Sequence, residues 1–147
     1  MKNMTIAIII LIGALTATAQ AQTSNSQRVL ANIPFAFNVG KTTLPAGNYA
    51  ITVVNPTSDR RVLQIRSADG RSTAMTLTTS VAAKASDDAK VVFHRYGDRY
   101  FFAQAHLLGE PMDLAALKST AERAEETAAS PATWAKRKKT VVVILAD

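Results

Sequence analysis

From residue 33 to about residue 107, apolar and polar positions alternate in short runs broken by glycine, proline and small polar residues. Ile33, Phe35, Phe37 and Val39 alternate with Pro34, Ala36 and Asn38, and this period of two predicts a half-buried strand over 33–39. Pro34 has no N–H for a ladder, so the strand is expected at an edge or starting at the proline. Gly40-Lys41 and Leu44-Pro45-Ala46-Gly47 read as turns, and Tyr49, Ile51 and Val53 as a second strand. After the polar break Asn55–Asp59, strands are expected at Arg61–Ser67 and Ser72–Val81. A two-residue Asp69-Gly70 loop between them would set Leu63 opposite Thr76. A three-residue loop sets Leu63 opposite Met75, keeps apolar partners together and is preferred.

Ala82–Ala89 is small and polar and reads as a loop. Val91–Tyr96 and Arg99–His106 form the clearest hairpin, across Gly97-Asp98, with Arg95 opposite Tyr100, His94 opposite Phe101 and Phe93 opposite Phe102. The period then changes. Leu114, Leu117, Ala121, Ala124 and Ala128 recur at helical spacing, which predicts a helix over about 113–129 that Ser130-Pro131 ends. Ser119-Thr120-Ala121-Glu122 is an alternative capping box and would make that helix shorter. The run Thr140–Leu145 predicts a final buried strand, over 140–146 at most. About seven strands and one helix near the C-terminus give a mostly β fold, a single antiparallel sandwich or a small barrel.

The first segment departs from this pattern. Lys2, the apolar run Ile6–Leu15 and the small-x-small site Ala19-Gln20-Ala21 read as a signal peptide over 1–21. The run is too short to span a bilayer, which takes ~20 residues. Cleavage near Ala21 would leave a polar, flexible segment over 22–32 and one β-rich domain over 33–147, secreted or periplasmic and not integral to the membrane. The 147 residues carry a formal charge of +6 and no cysteine. That excludes disulfides, thiolate metal sites and a cysteine nucleophile. In an exported protein the positive balance points to an anionic envelope polymer, lipid headgroups or another exported protein, rather than to nucleic acid.

Three segments together resemble a group of short secreted bacterial proteins common in acidobacteria. They are Ile33-Pro34-Phe35-x-Phe37-x-Val39-Gly40 with Leu44-Pro45-Ala46-Gly47-x-Tyr49, then Phe93-x-Arg95-Tyr96-Gly97-Asp98-Arg99-Tyr100-Phe101, then Ser119-x-Ala121-Glu122-Arg123. The resemblance covers most of residues 31–126 and implies export and a β-rich fold, with no activity attached. The basic tail from Lys136 lies outside it.

Candidate chemistry is sparse. No nucleophile elbow, phosphate loop, dinucleotide fingerprint or His-Glu-x-x-His occurs, and no cofactor or metal is expected. In the regular hairpin register His94 and His106 point to opposite faces, which argues against a two-histidine metal site. Arg95, Tyr96, Asp98, Arg99 and Tyr100 at the hairpin tip form a candidate recognition patch for a carboxylate, phosphate or sugar. The same residues also suit a self-contained tip, with Arg95 over Tyr100 and Asp98 neutralising an arginine. Arg60, Arg61, Arg66 and Arg71 could extend a basic face. Lys136, Arg137, Lys138 and Lys139 could meet an anionic surface or guard the apolar strand from aggregation. Glu122, Glu125 and Glu126 read as the wet face of the helix. The expectation is a non-enzymatic exported module that binds an envelope component or a protein. The alternative is a barrel carrying a small apolar or amphipathic ligand, lined by Phe35, Phe37, Tyr49, Phe93 and Phe102. An envelope-polymer hydrolase is a third reading, with His94 and His106 as its general bases.

Overall fold

The computed structural model describes residues 28–58, 61–83, 88–128 and 139–146. The segment 1–21 expected to be a signal peptide, Arg60, Pro131 and Lys136–Lys138 lie outside the described residues. Ten strands and one helix follow in order: β1 (Arg28–Ile33), β2 (Phe37–Val39), β3 (Thr42–Leu44), β4 (Gly47–Val53), β5 (Val62–Ser67), β6 (Thr73–Ala82), β7 (Lys90–Tyr96), β8 (Arg99–His106), β9 (Met112–Ala116), α1 (Thr120–Thr127) and β10 (Thr140–Leu145).

Two sheets pack face to face and share the long strand β6. Its first half pairs with β5 and its second half with β9. The first sheet runs β1-β4-β5-β6, and the second runs from β6 through β9 and β8 to β7 and β10, with the β2–β3 hairpin also beside β8. Pairing is antiparallel except for a parallel bridge between Asn38 and Phe101. The assembly is a sandwich, not a closed barrel.

Alternation decides which side chains enter the core. Val29, Ala31 and Ile33 from β1, Tyr49, Ile51 and Val53 from β4, and Leu63 and Ile65 from β5 meet Phe37, Val91, Phe93 and Phe102 from the other sheet. Phe93 makes edge-to-face contacts with Phe35, Phe37 and Phe102, and Phe37 with Tyr49. The five aromatics expected to line a ligand cavity therefore close on one another.

Several expected elements are revised. The chain is already in strand at Arg28, within the segment expected to be flexible, because Val29 and Ala31 supply core positions. The strand expected over 33–39 is split. Pro34 to Ala36 carries the chain from the first sheet to the second, and the missing proline N–H costs nothing in that crossover. The helix is confined to Thr120–Thr127, and Met112–Ala116 is a strand instead. Asp113 and Leu114 are both buried, a pattern that a strand between two neighbours satisfies. The shorter helix starts where the capping-box alternative put it, with Ser119 Oγ accepting from Glu122 N at 3.1 Å.

Leu63 pairs with Thr76 rather than Met75. The turn holds four residues, 68–71, because Asp69 accepts from both Ser67 Oγ (2.5 Å) and Arg71 N (3.0 Å) and fixes the chain reversal. β10 is not buried within the sheet. Among the described residues it pairs with β7 alone, and it alternates exposed and half-buried residues.

Candidate functional site

Two outer faces could carry function. On the second sheet, a bulge between Val92 and Phe93 shifts the β7–β8 register, so that Lys90 pairs with His106. His106 therefore shares an outer face with His94, contrary to the regular-register expectation. The two lie four residues apart along β7, about 13 Å, so they still cannot share one metal ion. Each meets its own carboxylate. His94 Nδ1 lies 2.6 Å from Glu122 Oε1, and His106 Nδ1 lies 2.5 Å from Asp113 Oδ1. Tyr96 Oη also points at Glu122, at 3.4 Å. Burial, with Glu122 and Glu126 nearby, pushes the Tyr96 phenol up to about 12. Glu122 is thus a buried polar anchor of α1 and not part of a wet helix face.

The hairpin tip does not form one patch. Tyr96 is buried beneath α1, and Arg99 pairs with Glu125 of α1 while lying over the Phe101 ring. Arg95 lies on the other side, 5.4 Å from the Tyr100 ring centre and 3.9 Å from Asp98. Tyr100 in turn stacks on Phe35, 3.8 Å between ring centres. The basic face expected around this tip does not assemble either. Arg61 is paired with Glu110 at 2.8 Å, and Arg66 lies on the outer face of the opposite sheet. Of the basic run before β10, Lys139 is described and is exposed.

The outer face of the first sheet is different. Its rows are Arg28, Thr52, Gln64 and Met75, then Leu30, Ala50, Arg66 and Thr73, then Asn32 and Asn48. Ala50 in β4 is the small residue between Leu30 and Arg66, and it leaves a trough there. A hollow of about 430 Å³ lies between Arg28, Gln64, Arg66 and the 67–70 turn. A second of about 360 Å³ adjoins it along Leu30, Asn32, Asn48 and Ala68. Ala68 N donates to Asn48 O at 2.8 Å, which ties the turn to β4 and fixes the end wall.

Arg66 lies against that turn. Gly70 adopts φ +73°, and a Cβ there would come 3.0 Å from Arg66 Nη2. Glycine thus serves both the left-handed backbone and the room for the guanidinium. Among the described residues, neither Arg28 nor Arg66 has a carboxylate within ion-pair reach. Asp69, at the edge of the hollow, is engaged by Ser67 and the Arg71 amide, and the Ser67 hydroxyl bond holds its carboxyl below the usual range. Neither Arg28 nor the Ala50 trough stood out in the sequence. The signal was weak, a small residue flanked across the strands by Leu30 and Arg66 once the register is known.

Scans against protein-family models, curated proteins and solved structures give no match. Among the described residues no helix is long and apolar enough to cross a membrane, and no cluster of three metal-ligating side chains occurs.

Proposed function

We propose that this protein is an exported, non-enzymatic module that binds a component of the cell envelope on the open outer face of β1, β4 and β5. One observation carries the reading. That face holds a preformed trough flanked by two arginines that have no acidic partner among the described residues, whereas the histidines and Arg99 on the opposite face are each engaged by a carboxylate. An uncompensated cation beside a hollow is available to a ligand, and a satisfied pair is not. Both histidines bond a carboxylate in partly or fully buried surroundings, which fits anchoring better than acid–base work. The sequence-level export signal over 1–21 supports the compartment.

The test is an amide-shift titration of the folded domain with solubilised envelope polysaccharide. Shifts clustered on β1, β4, β5 and the 67–72 turn are expected. Shifts confined to the 95–100 hairpin tip, or scattered over both faces, would overturn the assignment.

A further inference from the structure

Resting on that reading, we infer that the ligand is an acidic polysaccharide, a sugar chain bearing carboxylate or sulfate groups, laid across the strands from Arg28 to Arg66. From the register, Arg28 sits opposite Thr52, and Arg66 opposite Ala50. The two cations are therefore two strands and two residues apart, about 12 Å between Cα atoms. Both arginines line one hollow, which runs on into a second hollow lined by Leu30, Asn32 and Asn48, and this extended polar surface beyond the cations suits a polymer better than a single compact anion.

The residues between and beside the arginines are those that suit sugars. Thr52 and Gln64 lie in the row of Arg28 and offer hydroxyl and amide groups. Asn32 and Asn48 form a cross-strand pair, Nδ2 to Oδ1 at 2.6 Å, which presents their remaining donors and acceptors in a fixed orientation. Leu30, Ala50 and Ala68 supply apolar surface for the C–H faces of the rings. Single-stranded nucleic acid fits poorly, since base stacking needs exposed aromatic rings and the aromatic residue at this groove, Tyr49, is 2% exposed. Two arginines are also a small cation count for holding a lipid surface, at about 1 kcal/mol per charge.

The experiment is titration calorimetry of the signal-peptide-free chain with four probes: polygalacturonate, dextran sulfate, neutral dextran, and vesicles containing an anionic phospholipid. Binding to one or both acidic polymers is expected, with none to neutral dextran. Affinity should fall on going from about 50 to about 500 mM salt, and Arg28→Ala with Arg66→Ala should lower it about tenfold per arginine. Arg28→Lys with Arg66→Lys should restore part of it, which separates charge from fold. Binding to vesicles alone, lost in the double alanine variant, would overturn the ligand class and leave the binding face standing. Binding that ignores both arginines, or no binding to any probe by a folded chain, would overturn both.

Discussion

On the outer face of the second sheet, Phe101, Tyr96 and His106 are 1%, 3% and 4% exposed, whereas Leu30, Leu77 and Met75 on the outer face of the first sheet are 47%, 48% and 56% exposed. Both faces come from strands whose other side chains fill the same core. His106 is closed off by Asp113 of β9, and around Tyr96 and Arg99 the difference is α1. An eight-residue helix is too short to be stable alone, so its place depends on what it docks against. Ser119 Oγ accepts from Glu122 N, but the Glu122 carboxylate does not complete the capping box by turning back to the Ser119 N–H. The Glu122 carboxylate is then available to His94 and Tyr96, and Glu125 to Arg99. One face is thereby closed by paired charge, and on the other Arg28 and Arg66 have no carboxylate partner among the described residues.

The sharpest way to break this contrast is to truncate one apolar residue on each outer face. Phe101→Ala should cost about 3–5 kcal/mol in chemical denaturation, because its ring lies under Arg99 and against Tyr96. Leu30→Ala should cost no more than about 0.5 kcal/mol. Equal costs would mean that the two faces are alike. Next in size is Glu122→Ala, which leaves His94 Nδ1 and the Tyr96 hydroxyl without their acceptor. A loss of about 1–3 kcal/mol is expected, with polysaccharide binding unchanged. A binding defect in that variant would show that the closed face also takes part.

Gly70→Ala should cost about 1–2 kcal/mol for the left-handed backbone and also move the Arg66 guanidinium. It should therefore weaken binding more than its stability loss explains, as a titration at a temperature where the variant is fully folded will show. The alkaline limb tests the closed face again. The folded Tyr96 phenol titrates at about 12 against an ordinary 10.0, so the folded state keeps a proton that the unfolded chain has released. The stability this contributes is complete below pH 10 and is lost as pH rises towards 12. Tyr49, also raised by burial, adds to the same limb. Tyr96→Phe should flatten part of the slope in melts between pH 9 and 12, and an unchanged slope would place the titration elsewhere. The smallest effect is that of Arg28→Ala and Arg66→Ala on stability, within about 0.5 kcal/mol each.

Local signals placed most strands and the mostly β class correctly. The β7–β8 hairpin has the pairs that Gly97-Asp98 implies, from Arg95 opposite Tyr100 to Phe93 opposite Phe102. The same reasoning failed one residue further on, because a bulge leaves no mark in an alternation of apolar residues. That slip moved His106 to the face of His94. The 113–116 stretch failed for another reason: Asp113 and Leu114 fit a helix period as well as a strand, and only pairing with β6 and β8 chose the strand. The hairpin-tip residues were visible as a cluster in sequence, yet Tyr96 and Arg99 turn to α1 while Arg95 and Tyr100 turn away.

What the sequence determined by itself was local: where the chain turns, which residues of each strand are apolar, and that Ser119 can start a helix. These depend on φ preferences and on neighbours within a few residues. The tertiary structure decided which outer face would be covered. That depends on Glu122 finding His94, 28 positions away, and on Ala50 lying between Leu30 and Arg66 across three strands. Side chains that meet only through register and docking leave no periodic trace along the chain, so the open arginine trough exists only in the fold.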